Sequence, residues 1–235
     1  MAIIYVFSDL HANRAALEAI FSHIDREQFS RSIKIFAGDY LNFGPWPNET
    51  ISIIRSLTNS YFVIGNQDQY ILDENNSKIS SLVKDGRIIE HINWTRNQLA
   101  KENFEWLKSL PLIRRLDTDN RKIVIFHGDY ENTEKGVSDT TLGRIAEEII
   151  ICGHIHKPYK KEIANKTIVN PGSVGDPLDG DTRASFSIIE ISGNNLNVEY
   201  QRINYDISLY ENELEIRKVP WREFIIKKIR KASMY

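Results

Sequence analysis

The sequence predicts an α/β fold built on a largely parallel sheet. Three observations carry that expectation. Five short runs rich in Ile, Val, Phe and Tyr are too brief and too β-branched to stand as helices, and amphipathic stretches separate the first three of them. After Pro171 the pattern changes to the two-residue alternation of antiparallel strands.

The elements follow in order. Residues 3–7 (IIYVF) form a strand that stops at Ser8 and Asp9, after which Ala16, Leu17, Ile20, Phe21 and Ile24 recur at helical spacing. Residues 33–37 (IKIFA) stop at Gly38 and Asp39, and Pro47 opens a second helix through NETISIIRSL. Residues 61–64 (YFVI) stop at Gly65 and Asn66. Residues 69–118 break this rhythm with a polar stretch in which Trp94, Leu99, Phe104, Trp106, Leu107 and Leu110 fit helical spacing in part, until Pro111 stops the run. It reads as a helical insertion that either covers the strand ends or packs beside the sheet. Residues 123–126 (IVIF) lead to His127 and Gly128, and residues 149–152 (IIIC) to Gly153, His154, Ile155 and His156. SFSIIEI and NLNVEYQRI, joined by Gly193 and Asn194, predict a β-hairpin in a second, antiparallel sheet region. A basic helix over about 219–232 closes the chain, with Lys227, Lys228, Arg230 and Lys231 read as solvated and an acidic partner as the alternative. Residues 1–235 are expected to fold as one domain.

Composition narrows the function. Thirty basic and 32 acidic residues give a net charge of −2, which excludes a globally basic nucleic-acid binder, and no specific nucleic-acid binding is expected. Cys152 is the single cysteine, so neither an internal disulfide nor a thiolate metal cluster can form; it reads as a small buried filler. The N-terminal MAIIYVFSDL lacks a basic flank and meets Asp9 too early for a signal peptide, and no apolar stretch is long enough for a bilayer. A cytoplasmic protein with no membrane partner is the expectation.

Each of the five apolar runs ends at a residue able to bind metal. In a parallel sheet the carboxyl ends of the strands open on one edge, so these ends should converge. Asp9 and His11, two residues apart, share one face if the segment is extended, and His154 and His156 do the same. Asp39, Asn66 and His127 add two oxygens and a nitrogen. Carboxylate and amide oxygens mixed with imidazoles suit manganese, iron or zinc. Seven donors exceed one tetrahedral ion and suit two ions sharing a carboxylate. Such a pair, about 3.5–4 Å apart, would position a phosphate and bring the pKa of a bridging water toward neutrality. Gly38, Gly65, Gly128 and Gly153 fit either a close backbone approach or ordinary turns.

The ordered set SDLH, GD, GNQD, HG, GHIH resembles the calcineurin-like metallophosphoesterase superfamily, whose pattern is D-x-H, GD, GNH(D/E), H and GHxH. SDLHANRAALEAI, GDYLNFGPWPNETI, NPGSVGDPLDGDTRAS and INYD are similar to its compact prokaryotic phosphodiesterase or diadenosine-tetraphosphatase-like branch, over residues 3 to about 206. The resemblance implies a four-layer α/β/β/α sandwich. It implies one divalent ion held by Asp9, His11 and His156, a second held by Asn66, His127 and His154, and Asp39 bridging them. Manganese is the first expectation, with iron, zinc and nickel as the others. Ser173 and Gly175 would lie near the metals, although a tight turn explains them equally.

Gln67 stands where the family carries a histidine often assigned to protonating the leaving group. Glutamine donates a hydrogen bond but does not titrate near neutrality, and losing a general acid costs about 10²- to 10⁴-fold where the leaving group needs a proton. The expected substrates are therefore small phosphate esters or nucleotides with good leaving groups: phosphodiesters and nucleoside polyphosphates. Asn13 and Gln67 are the candidate substrate contacts, with a helix-start role for Asn13 as the alternative and Arg14 read as solvated. His23 and His91 read as surface or structural. The rival readings are a protein serine/threonine phosphatase, which shares the metal motifs, and a non-catalytic protein-binding scaffold on the same fold. Exposed aromatics in the insertion would serve a substrate or a homo-oligomer.

Overall fold

The computed structural model describes residues 1–82, 86–130 and 132–234. β1 (Ala2–Phe7) opens the chain, and its side chains alternate between two cores, Ile4 and Val6 entering one and Tyr5 and Phe7 the other. A strand covered on both faces needs no polar alternation, which is why this run is apolar throughout. Asn13 caps α1 (Arg14–His23), its Oδ1 accepting from the Ala16 N–H at 3.1 Å. Asp25 caps α2 (Arg26–Arg31) in the same way. β2 (Ile33–Phe36), α3 (Pro47–Arg55) and β3 (Ser60–Phe62) follow, with Pro47 in the first helical turn, and β1, β2 and β3 pair in parallel.

The polar stretch supplies α4 (Asn66–Leu72), α5 (Ser77–Leu82), α6 (Gly86–Gln98) and α7 (Lys101–Lys108). Arg96 on α6 clamps the end of α4 by donating to the carbonyls of Ile71 at 2.6 Å, Asp73 at 2.8 Å and Tyr70 at 3.0 Å. A cation on orphan carbonyls suits a helix C-terminus. The helical reading of residues 69–118 fails at its end: β4 (Ile113–Thr118) is a strand, antiparallel to β5 (Arg121–Phe126). Asp119 and Asn120 make the turn with left-handed φ values of 49° and 62°, the geometry of a tight two-residue hairpin. With only Leu116 buried, β4 carries too little apolar pattern to announce itself.

Then come α8 (Asp139–Leu142), β6 (Ile149–Ile151), β7 (Pro158–Ile163), β8 (Lys166–Pro171), β9 (Ala184–Ser192), β10 (Asn195–Ile203), α9 (Ile207–Ile216) and α10 (Arg222–Lys231). Two mixed five-stranded sheets result, in the orders β10-β9-β1-β2-β3 and β4-β5-β6-β8-β7. They pack face to face: Ile4, Val6 and Ile35 meet Ile123, Ile125 and Ile151. Helices α1, α3, α4, α6 and α7 cover the outer face of the first sheet, and α8 lies on that of the second. The layering is the α/β/β/α sandwich that the resemblance implies.

The β9–β10 hairpin forms as its alternation predicts but makes no separate sheet. β9 runs antiparallel beside β1, Ile189 opposite Ile4, and so widens the first sheet. Alternation reports which face of a strand is covered, not which neighbour the strand finds. Among the described residues no helix is long and apolar enough to cross a membrane.

Candidate metal centre

The ends of β1, β2, β3, β5 and β6 meet where the two sheets adjoin. Past β1 and β2 the chain segments run on side by side: the N–H groups of Asp9, His11 and Ala12 donate to the carbonyls of Gly38, Asp39 and Tyr40 at 3.0, 3.1 and 2.8 Å. The backbone there is not extended. Asp9, His11, Asp39, His154 and His156 have φ values of 54°, 48°, 54°, 74° and 56°, a region that residues with a Cβ seldom occupy. Asp9 and His11 therefore do not share a strand face as their spacing suggests, and neither do His154 and His156. Turns at the residues themselves redirect each side chain. Such conformations cost about 1–3 kcal/mol each and persist only where the surroundings enforce them.

Asp68 supplies much of that enforcement. It is fully buried; its Oδ1 accepts from the N–H groups of Tyr40 and Leu41 at 3.0 and 3.2 Å, and its Oδ2 from Gly65 at 3.1 Å. One carboxylate thus ties the loop after β2 to the loop after β3. Gly65 and Gly153 are places of close approach, not plain turns. A Cβ on Gly65 would lie 2.0 Å from Asp39 Oδ1, and one on Gly153 would lie 1.8 Å from Ser8 Oγ. Ser173 Oγ donates to the carbonyl of Asp9 at 2.7 Å, so this residue acts on the scaffold beneath Asp9.

All seven predicted donors converge. His11 Nδ1 donates to the carbonyl of Leu41 at 3.1 Å, His127 Nδ1 to that of Ala37 at 2.7 Å, and His156 Nδ1 to that of Asp176. A carbonyl can only accept, so each neutral ring carries its proton on Nδ1 and turns an Nε2 lone pair inward. His11 Nε2 and His156 Nε2 face each other at 3.2 Å, and Asp9 Oδ1 lies 3.2 Å from His156 Nε2. On the other side Asn66 Oδ1 sits 3.0 Å from His127 Nε2 and 3.1 Å from His154 Nδ1. Asp39 Oδ2 is 3.1 Å from His127 Nε2, and donor atoms of Asp39, Asp9, His11 and His156 all lie within 4.8 Å of one another. His154 is the half-buried member; the other six are buried.

The electrostatics ask for positive charge. Burial opposes a charge on His127, yet Asp39 and then Asp9 overcome it and lift the imidazole to about 9. His156 is raised against its burial by Asp9 and Asp176. Burial pushes His11 down to about 4, and His156 adds to that. Burial, with Asp39 beside it, raises Asp68 to about 7. A proton on His127 meets part of this demand, and divalent cations among the carboxylates, the amide oxygen and the imidazole Nε2 atoms would meet it in full. The donor set therefore fits divalent metal.

The two predicted substrate contacts diverge. Gln67 is half-buried at the edge of the cluster; its N–H donates to Asp39 Oδ1 at 2.8 Å and its Oε1 accepts from Asn42 Nδ2 at 2.6 Å. Asn13 is fully buried, with Oδ1 engaged in capping α1 and Nδ2 donating to the carbonyl of Gly175 at 3.0 Å, so both ends of its amide serve the scaffold. Arg14 pairs with Glu18 at 3.1 Å on the helix surface. His23 is exposed and His91 buried. Cys152 is fully buried, and burial pushes its thiol up to about 12.

Three supporting residues escape the sequence reading. Asp68 sits inside the GNQD motif, where its position alone was the signal. Asp176 lies in the glycine-rich stretch after Pro171 and looks like turn chemistry. Lys228 corrects an expectation: it is 3% exposed, not solvated, because it falls on the same face of α10 as the buried Ile225. Clefts of about 550 and 620 Å³ lie on other faces, whereas one of about 260 Å³ adjoins Asn66 and is lined by Gln69, Lys78 and Ser81 among others.

A profile of the calcineurin-like phosphoesterase superfamily domain matches residues 1–194. An uncharacterized protein of Methanocaldococcus jannaschii is 30% identical over 243 residues, covering 94% of this chain and 95% of its own. Among solved structures, a metallophosphoesterase from Sphaerobacter thermophilus superposes with a TM-score of 0.80 at 24% identity, covering 98% of this chain and 99% of its own. A hypothetical protein from Pyrococcus horikoshii gives a TM-score of 0.84 at 20% identity over 100% of both chains.

Proposed function

The chain belongs to the calcineurin-like phosphoesterase superfamily, and on that premise we propose that it is a two-ion phosphoesterase hydrolysing phosphodiester or nucleoside polyphosphate bonds. The observation that carries this reading is the pair of acceptor clusters, His11 Nε2 facing His156 Nε2 at 3.2 Å and Asn66 Oδ1 facing His127 Nε2 at 3.0 Å, with Asp39 reaching toward both. In this reading Asp9, His11 and His156 hold one ion, Asn66, His127 and His154 the other, and Asp39 lies between. Manganese suits a set that mixes carboxylate, amide and imidazole and has no thiolate. Two bound divalent ions supply Lewis acidity toward a phosphoryl oxygen and a water acidified toward neutral pH.

The chain itself contributes position and a fixed donor. Main-chain carbonyls engage Nδ1 of His11, His127 and His156, so Nε2 is the atom that each ring presents to the centre. Asn42 holds Gln67 by its Oε1, which leaves the Nε2 hydrogens to bind a phosphoryl oxygen. An amide gives a hydrogen bond there but no proton. Aryl alcohols and nucleoside phosphates leave without one; the alkoxide of serine does not. That difference favours polyphosphates and diesters with an acidic leaving group over phosphoserine. The cleft beside Asn66 offers Lys78 and the polar Gln69 and Ser81 for the remainder of such a substrate.

The test is a kinetic panel on the manganese-loaded protein with bis-p-nitrophenyl phosphate, diadenosine tetraphosphate and an alkyl phosphomonoester. The first two are expected to be the better substrates. A preference for the alkyl monoester overturns the substrate class, and protein that neither binds manganese nor turns over any of them overturns the reading as a whole.

A further inference from the structure

Lys228 lies on α10, beyond the 1–194 stretch that the family profile matches. Exposed Lys227 and Arg230 flank it, yet Lys228 is 3% exposed and its ammonium sits 2.6 Å from Asp176 Oδ2 and 3.5 Å from the centre of the Phe43 ring. Both partners stand directly behind the same pair of imidazoles. Asp176 accepts the Nδ1 proton of His156 on its main-chain carbonyl, and its carboxylate lies 3.5 Å from that nitrogen. The Phe43 ring is 5.2 Å from the ring of His11. His11 and His156 are the two rings whose Nε2 atoms face each other.

We propose that Lys228 is a positioning residue for the His11–His156 side of the centre, acting through Asp176, and that the C-terminal helix is thereby a working part of the site. The inference rests on the two-ion reading. The physical reason is charge placement. Asp176 adds a further buried carboxylate behind a cluster that already holds Asp9 and Asp39, with Asp68 beside Asp39. Paired with Lys228 it is anchored away from the ions, and its carbonyl stays in line with His156 Nδ1. Unpaired, the same carboxylate is free to leave this place for an incoming cation, and the ring loses its fixed direction. A buried charge stripped of its partner is far more disruptive than a pair removed together, which makes the idea separable from simple packing.

The test is a cycle of variants titrated with Mn²⁺ by isothermal calorimetry, each first shown to be folded by thermal denaturation. Lys228→Met is expected to weaken one of the two Mn²⁺ binding events at least tenfold and to leave the other within about threefold of wild type. Asp176→Asn, which strands the lysine, should weaken the same event. The double variant removes both charges but keeps the carbonyl for His156, so it should return to within about threefold of wild type. If Lys228→Met does not fold, tighter Mn²⁺ binding by the double variant than by Asp176→Asn makes the same point. Unchanged affinity in the folded single variants, equal weakening of both events, or no recovery in the double variant overturns the inference. Wild-type protein that binds no Mn²⁺ overturns the two-ion reading and this inference with it, a result distinct from the other three.

Discussion

The carboxylate of Asp68 and the main-chain N–H of Tyr40 are joined by a 3.0 Å hydrogen bond across two loops that each carry predicted metal donors. Leu41 and Gly65 donate to the same side chain. Asp68→Ala leaves three N–H groups without their acceptor in the interior, at about 1–3 kcal/mol each. A loss of at least about 3 kcal/mol is expected in urea denaturation, while Asp68→Asn, which keeps one acceptor oxygen for Tyr40 and Leu41 but sets an NH2 against the Gly65 N–H, should cost less than the alanine variant. An alanine variant as stable as wild type would show that the two loops do not depend on this tie.

His91 makes stability depend on pH. Its Nε2 accepts from the Phe43 N–H at 2.7 Å and its Nδ1 donates to the carbonyl of Pro220 at 3.1 Å. Burial pushes its pKa down to about 4, with Lys228 and His11 adding to the effect and the Pro220 bond opposing it. The unfolded chain takes up this proton near pH 6.5, whereas the folded chain refuses it until about pH 4. The contribution is therefore complete above 6.5 and is lost as pH falls through that window. Between pH 7 and pH 5 it amounts to about 2 kcal/mol. Other groups titrate in the same range, so the measurement is the difference between wild type and His91→Gln. The glutamine variant should lose about that much less stability over the interval; parallel pH profiles would refute the assignment.

Much of this was readable from the residues, for a physical reason. Apolar runs such as IIYVF and IVIF are buried on both faces, so their burial needs no neighbour to be identified, and each ends at the polar residue where the strand leaves the sheet. The donors at those ends are readable because spacing along the chain sets them at one edge. How the donors point is not readable. Left-handed φ at Asp9 and His156 is a property of loops held by distant partners, and no local preference of aspartate or histidine announces it. The same holds for β4, whose partner is β5 and whose own pattern is polar, and for Lys228. A charge run on a terminal helix reads as solvated until the helix docks, and what it docks against, Asp176, is some fifty residues away.

Gly65 offers a steric test of the centre. Its missing Cβ would meet Asp39 Oδ1 at 2.0 Å and Asp39 N at 2.3 Å, so Gly65→Ala must displace the one residue that reaches toward both acceptor clusters. Overpacking of this kind costs about 1–3 kcal/mol, and Mn²⁺ affinity should fall at least tenfold beyond the loss of stability. Gly86, at the start of α6 with open space around its Cβ position, is the control. Gly86→Ala should be neutral or gain up to about 1 kcal/mol. Equal Mn²⁺ affinity in the two variants would remove Asp39 from the binding site.

Gln67 tests the substrate class itself. Its side chain is held by Asn42 and its main chain by Asp39, so a histidine in its place would have its backbone already fixed beside the cluster. Imidazole titrates near neutrality where glutamine cannot, and a positioned general acid contributes about 10²- to 10⁴-fold when the leaving group needs a proton. Asn42 is not built for an imidazole, so the lower end is the fair expectation. Gln67→His should raise kcat/KM for an alkyl phosphomonoester by about 10- to 100-fold while changing that for bis-p-nitrophenyl phosphate by less than about threefold, because p-nitrophenolate leaves unaided. The gain should fade at alkaline pH as the histidine loses its proton, a dependence that a change in packing would not produce. An equal rise for both substrates would mean that residue 67 acts on binding and not on the leaving group, and no rise for either would mean that the glutamine is not what limits monoester hydrolysis.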